Sequence, residues 1–132
     1  MVCDWLRFDP DLDLKILRVE IDVGRLLELQ PATAEETDEF CQELYPVLDK
    51  ITEICVKNSL TQTCTADLDR VDMTRLKPVT MMRIIWNVYE HTKSCILLQK
   101  CEVHGGGSIF NALVEAVRGF LPKFMRDMVV LI

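Results

Sequence analysis

The fold class of this chain turns on the run Asp11-Leu12-Asp13-Leu14-Lys15-Ile16-Leu17-Arg18-Val19-Glu20-Ile21-Asp22-Val23. Leu12, Leu14, Ile16, Leu17, Val19, Ile21 and Val23 alternate with charged residues, which is the signature of a strand with one buried face. The same residues tolerate a helix, because Leu14, Leu17, Ile21 and Glu28 fall on successive turns with Leu26 and Leu27 nearby. A single strand has no partner for its backbone groups, and no second convincing strand shows elsewhere in the sequence. Residues 11–29 are therefore expected to be helical, against the local alternation.

Outward from that run the helical signals are plainer. Pro31 ends the element, and Thr33-Ala34-Glu35-Glu36 is a capping-box sequence that starts the next. Phe40, Leu44, Leu48, Ile51 and Cys55 follow at spacings of three or four. Pro46 predicts a break near Tyr45, with a second short helix to about Lys57. Residues 58–66, rich in Thr, Asn, Ser and Gln, read as a loop. Asp67 to Leu76 reads as a short helix with Leu68, Val71 and Met73 or Leu76 inward.

A central helix is expected over 79–100, headed by Pro78, whose fixed φ suits a first turn. From Val79 to Tyr89 apolar residues occur on every side of the helical wheel, so this helix is expected to be enclosed by others. Arg83 interrupts it with a permanent charge that must pair internally or open onto a groove. Gly105-Gly106-Gly107 is a break, and Ser108 caps a helix carrying Phe110, Leu113, Val114, Val117, Phe120 and Leu121. Pro122 separates a last turn or two. The sum is one all-α domain over 1–132, a bundle of about seven helices around the central one.

Composition fits a globular chain, with 49% hydrophobic and 27% charged residues. A net charge of −6 argues against nucleic acid, whose phosphates need a basic face. The polar start Met1-Val2-Cys3-Asp4 carries no secretory signal, and the apolar ending 128–132 is far shorter than the about 20 residues a bilayer demands. The six cysteines are expected as reduced thiols of an intracellular, cytoplasmic protein.

Two segments together resemble the Bcl-2 family of apoptosis regulators. Glu35-Glu36-Thr37-Asp38-Glu39-Phe40, trailed by Leu44, Leu48 and Ile51, is similar to the family's Gly-Asp-Glu-Phe stretch. Val79-Thr80-Met81-Met82-Arg83-Ile84-Ile85 resembles its Val-Asn-Trp-Gly-Arg-Ile-Val. Thr33 and Thr37 stand where the family has leucine and glycine, Thr80-Met81-Met82 replaces Asn-Trp-Gly, and Glu90-His91-Thr92-Lys93 is polar. A short form without a tail looks most like the virus-encoded members. The resemblance implies a Bcl-2-like bundle that inhibits apoptosis by sequestering the BH3 helix of Bim-, Bak- or Bax-type proteins, recruited by them to mitochondria. Phe40, Leu44, Leu48 and Ile51 would wall the groove opposite Leu68 and Val71, and Arg83 would take the ligand's aspartate. The alternative is a closed-groove decoy acting in innate immune signalling, and an uncovered groove further implies a homodimer.

The plainer readings stand beside these. Arg83 has as its alternative an internal pair with Asp38 or Glu39, and the apolar residues an ordinary core. Cys95, Cys101 and His104 lack the paired spacing of a metal site. Glu90 and His91 face different directions on a helix and make a poor acid–base pair. No phosphate loop or nucleophile motif appears. No enzyme, cofactor or metal is expected.

Overall fold

The computed structural model describes residues 3–69, 71–92, 98–105, 115 and 129–131. It is an α/β structure, which overturns the all-α bundle of seven helices. Strands β1 (Leu6–Asp11) and β2 (Ile16–Asp22) lead into helices α1 (Val23–Leu29) and α2 (Ala34–Asn58). Strand β3 (Thr61–Asp67), a 3-10 turn over Met73–Arg75 and helix α3 (Pro78–Thr92) follow, then strands β4 (Leu98–His104) and β5 (Val129–Leu131). The strands form one sheet in the order β1-β2-β3-β4-β5, with β1 antiparallel to β2 and every later pair parallel.

Within the deciding run, Ile16–Asp22 is strand β2 and residues 12–15 are the turn that follows β1, so the helix expected over 11–29 survives only as α1, Val23–Leu29. Leu17 and Val19 are 0% and 3% exposed while Arg18 and Glu20 face outward, so the alternation was a true signal. Its partners escaped notice for local reasons. Strand β1 carries Pro10 among three charged residues, tolerable because it lies at the sheet's edge. Strand β3, Thr-Gln-Thr-Cys-Thr-Ala-Asp, has a loop-like polarity, but threonine is β-branched and fits a strand. The hairpin closes where Asp11 Oδ1 accepts the N–H groups of Asp13 and Leu14, each at 3.1 Å, and Lys15 takes a φ of 57°.

Register ties the strands into rows. Phe8, Val19, Cys64, Cys101 and Val129 are successive Cα partners across all five strands. The buried strand residues Leu17, Val19, Cys64, Ala66 and Val103 share one face of the sheet, and Arg7, Arg18, Glu20, Thr65 and Glu102 occupy the other. Strands taken in sequential order with right-handed crossovers place their helices on a single face. Among the described residues, the core accordingly lies on that face.

Helix α2 starts as expected. Thr33 Oγ1 accepts the Glu36 N–H at 3.1 Å, and the Glu36 carboxylate accepts the Ala32 N–H. The helix then runs 25 residues without the break expected at Pro46, which sits on its exposed side. There the carbonyl that loses its partner meets water, so the cost is smaller than in a core. It ends at Ser59 in the left-handed conformation, φ 55°. Ile51 and Cys55 pack on Leu17, Val19, Leu60 and Cys64, whereas Phe40, Cys41 and Leu44 pack with Trp5 and Ile84.

Helix α3 corrects the expectation of a buried central helix over 79–100. It ends at Thr92, and β4 occupies 98–104. It docks on α2 through Ile84, Met81 and Val88. Its opposite side leaves Val79, Ile85 and Trp86 at 80%, 38% and 48% exposure. Apolar character all round the wheel thus did not mean burial all round. The expected short helix over 67–76 is only the 3-10 turn, and the expected loop over 58–66 holds β3. The predicted helix over 108–121 and the turn after Pro122 lie outside the described residues, apart from helical Glu115, and the ending 129–131 is β5.

Candidate functional site

Three parallel strands finish in one row. Asp22, Asp67 and His104 are the last residues of β2, β3 and β4, and they are Cα partners in sequence across the sheet. The carboxyl ends of parallel strands are where open α/β sheets bind ligands, because the chain leaves each strand there in a loop free to vary. A cavity of about 530 Å³ occupies this edge, within the range of small-ligand pockets.

Each wall follows from local structure. Asp22 caps α1, its Oδ1 accepting the Arg25 N–H at 3.1 Å. Asp67 accepts the Asp69 N–H at 2.9 Å through Oδ1, folding the chain back over the strand end. The Leu68 N–H donates to the His104 carbonyl at 2.7 Å, which clamps the β3 loop to the end of β4. Gly105 then takes a φ of 83°, and a Cβ there would collide with the Asp69 carboxylate. His104 Nε2 lies 3.4 Å from Glu102 Oε2.

Trp5, Arg7, Glu20, Ile21 and Thr65 complete the lining. Trp5 is 4% exposed and stacks on Phe40 with ring centroids 5.9 Å apart. Its indole N–H is buried without an acceptor among the described residues. Four carboxylates, those of Glu20, Asp22, Asp67 and Asp69, thus share the cavity with the Arg7 guanidinium. Among the described residues no three histidine, cysteine, aspartate or glutamate side chains are placed to hold a metal ion.

The residues expected to form a groove lie elsewhere. Phe40, Leu44, Ile51 and Leu68 are core residues, each no more than 6% exposed, and Leu48 and Val71 are half-buried. Leu68 sits in the loop after β3, not on a helix facing α2. Phe40 borders a second depression of about 380 Å³, formed with Leu29, Gln30, Glu36, Glu39 and Glu43. Arg83 makes the internal pair: Nε and Nη2 donate to Asp38 Oδ1 and Oδ2 at 2.9 and 2.8 Å. That hydrogen-bonded fork holds the Asp38 carboxyl below the usual carboxylate range and raises Arg83 further.

Further along the same seam, Asn87 Nδ2 reaches Asp38 at 3.3 Å and Cys41 Sγ at 3.5 Å. His91 Nε2 lies 2.7 Å from Asp49 Oδ1 and its ring stacks flat on Tyr45 at 4.0 Å. So His91 pairs across to α2. Of the cysteines, Cys3, Cys41 and Cys55 are free thiols.

Sequence reasoning missed the carboxyl-edge residues. Their signal was present: Asp22 closes an alternating run, and Asp67-Leu68-Asp69 closes a threonine-rich one. It could be read only once both runs were taken as strands.

No protein-family model and no curated protein matches the chain. As a fold, it is an α/β chain with a mixed sheet whose described helices stand on one face. The solved structure of Sfh5 is similar to it, with a TM-score of 0.62 and 15% identity over 98% of this chain. The match takes in 47% of the Sfh5 chain, so this chain spans about half the length of that protein. At that identity the likeness is one of fold.

Proposed function

We propose that this chain is a small-ligand-binding module whose site is the cavity at the carboxyl ends of β2, β3 and β4. The observation that carries the reading is the in-register row Asp22, Asp67 and His104 bounding a cavity of about 530 Å³. Polar groups from three strands converge there beside the apolar wall of Trp5 and Ile21, the usual make-up of a binding pocket. The site is pre-formed by caps and clamps, so binding need not order it first.

Capture of a BH3 helix, implied by the resemblance, rested on a groove between helices and a free Arg83. With Phe40, Leu44, Ile51 and Leu68 in the core and Arg83 held by Asp38, we do not carry that reading forward. A BH3 peptide belongs in the test as a comparison.

Trp5 provides the test. The chain has two tryptophans, and Trp86 is half-exposed on α3, far in the chain from the cavity. Trp86→Phe leaves Trp5 as the sole tryptophan reporter. A panel of charged, neutral and apolar metabolites is expected to contain ligands that change Trp5 emission saturably. Those changes should vanish when Thr65→Trp, introduced with Trp5→Phe and read by the new indole, fills the cavity. Silence of Trp5 across the panel, or tight BH3-peptide binding untouched by filling the cavity, would overturn the reading.

A further inference from the structure

Two cysteines far apart in sequence meet in the sheet through register. Cys64 on β3 and Cys101 on β4 are Cα partners, within an unbroken run of pairs from Thr63 with Lys100 to Asp67 with His104. The register shift between these strands falls ahead of that run, between Gln62 and Thr63. Paired strands lie about 4.8 Å apart, and a disulfide spans Cα atoms about 4.4–6.8 Å apart. The two-residue repeat of a strand puts Cys64 on the face of Ala66 and Cys101 on the face of Val103. That is the core face of both strands.

Other cysteines compete less well for a bridge. Cys55 packs in the same core cluster as Cys64, and Cys3 packs on the cluster that holds Cys41. Neither combination is held by a backbone ladder, and among the described residues no other two cysteines are register partners.

We propose that Cys64 and Cys101 form a redox modification site, at which hydrogen peroxide joins the two thiols in a disulfide across β3 and β4. In the first step one sulfur attacks a peroxide oxygen and the O–O bond breaks. The thiol's proton leaves with the departing hydroxide as water, and a sulfenic acid remains. In the second step the partner sulfur attacks that sulfenic sulfur, the S–S bond forms, the S–O bond breaks, and a second water leaves. The two thiols lose two electrons in all, and the peroxide is reduced to two waters. Cys64 is 7% exposed, so a small neutral oxidant suits the site and a bulky one such as oxidised glutathione does not. Because the ladder holds the second residue next to the first, closure outruns further oxidation. Each cysteine stands three residues ahead of its strand's last, Asp67 or His104, so the bond ties together two of the strand ends that bound the cavity.

Peptide mapping of the parent protein tests this without any substitution. The protein is reduced with dithiothreitol, desalted and treated with hydrogen peroxide; remaining thiols are blocked with N-ethylmaleimide, and trypsin is added. Residues 58–70 are expected joined to residues 101–118, and dithiothreitol should separate them. The oxidised protein should also melt at a higher temperature than the reduced one. Cys64→Ala and Cys101→Ala should each abolish the bridge, and Cys55→Ala should leave it in place. A bridge through Cys3, Cys41, Cys55 or Cys95 in its stead would overturn the proposal. So would sulfinic acid at Cys64 without a bridge, or the two peptides recovered unlinked.

Discussion

Arg83 holds Asp38 in a two-pronged pair, with Nε and Nη2 at 2.9 and 2.8 Å from the two carboxylate oxygens. The pair bridges α3 to α2, and His91 with Asp49 repeats the bridge farther along. The order of these contacts, Asp38 before Asp49 and Arg83 before His91, means that the two helices run in the same direction. That is the geometry of successive crossovers in a parallel sheet, and in it Arg83 is already engaged by Asp38.

The Asp38 carboxyl is held below its ordinary value by the Arg83 hydrogen bonds. A depressed folded-state pKa contributes stability above the unfolded value and loses it as pH falls through the folded one. Arg83→Gln is therefore expected to lower Tm at pH 7, modestly because both groups are about half exposed. The gap from the parent should narrow as pH falls below the unfolded aspartate value of about 3.9. Melting curves from neutral to acid pH check this, and a gap that widens on acidification contradicts it.

Leu44 is 2% exposed among Phe40, Cys41, Trp5 and Ile84. As a core residue its change to alanine should cost about 2–5 kcal/mol in urea denaturation, the range for buried leucines. A loss below about 0.5 kcal/mol would instead fit an exposed position.

Gly105 is fixed from two sides, by its φ of 83° and by the Asp69 carboxylate where a Cβ would stand. Gly105→Ala should destabilise the protein by more than about 1 kcal/mol and alter the amide shifts of Leu68 and Asp69. A neutral or stabilising outcome would show that the β3–β4 clamp is drawn wrongly.

Burial pushes the thiols of Cys41 and Cys55 up, and both are 0% exposed. A thiol that stays protonated and shielded is a poor nucleophile. Alkylation of the native protein followed by peptide mass mapping should find both unlabelled until denaturant is added. Early labelling of either would place it outside the core.

How much of this was legible beforehand depends on the element. The start of α2 was, because a cap is written in consecutive residues: Thr33 and Glu36 declare it. The core stripe Phe40, Leu44 and Ile51 was legible as well, as a stripe. What that stripe packed against was not, because spacing along a helix cannot tell a sheet from a second helix. Strand β2 announced itself in Leu17 and Val19 and was set aside for want of a partner. Its partners were hidden by Pro10 in one strand and by the polarity of Thr61, Gln62 and Thr63 in the other. The candidate site was lost with them. Asp22, Asp67 and His104 stand apart in sequence, and only the sheet register makes them neighbours.

That register is the claim on which the site depends, and nuclear Overhauser contacts in isotopically labelled protein test it directly. Backbone contacts should link the chain around Asp22 to that around Asp67, and Asp67 to His104, with strong sequential Hα–HN contacts along Ile16–Asp22. Strong sequential HN–HN contacts through residues 11–29, with no cross-strand contact at Asp22 or Asp67, would restore the helix and contradict both the sheet and the cavity built on its edge.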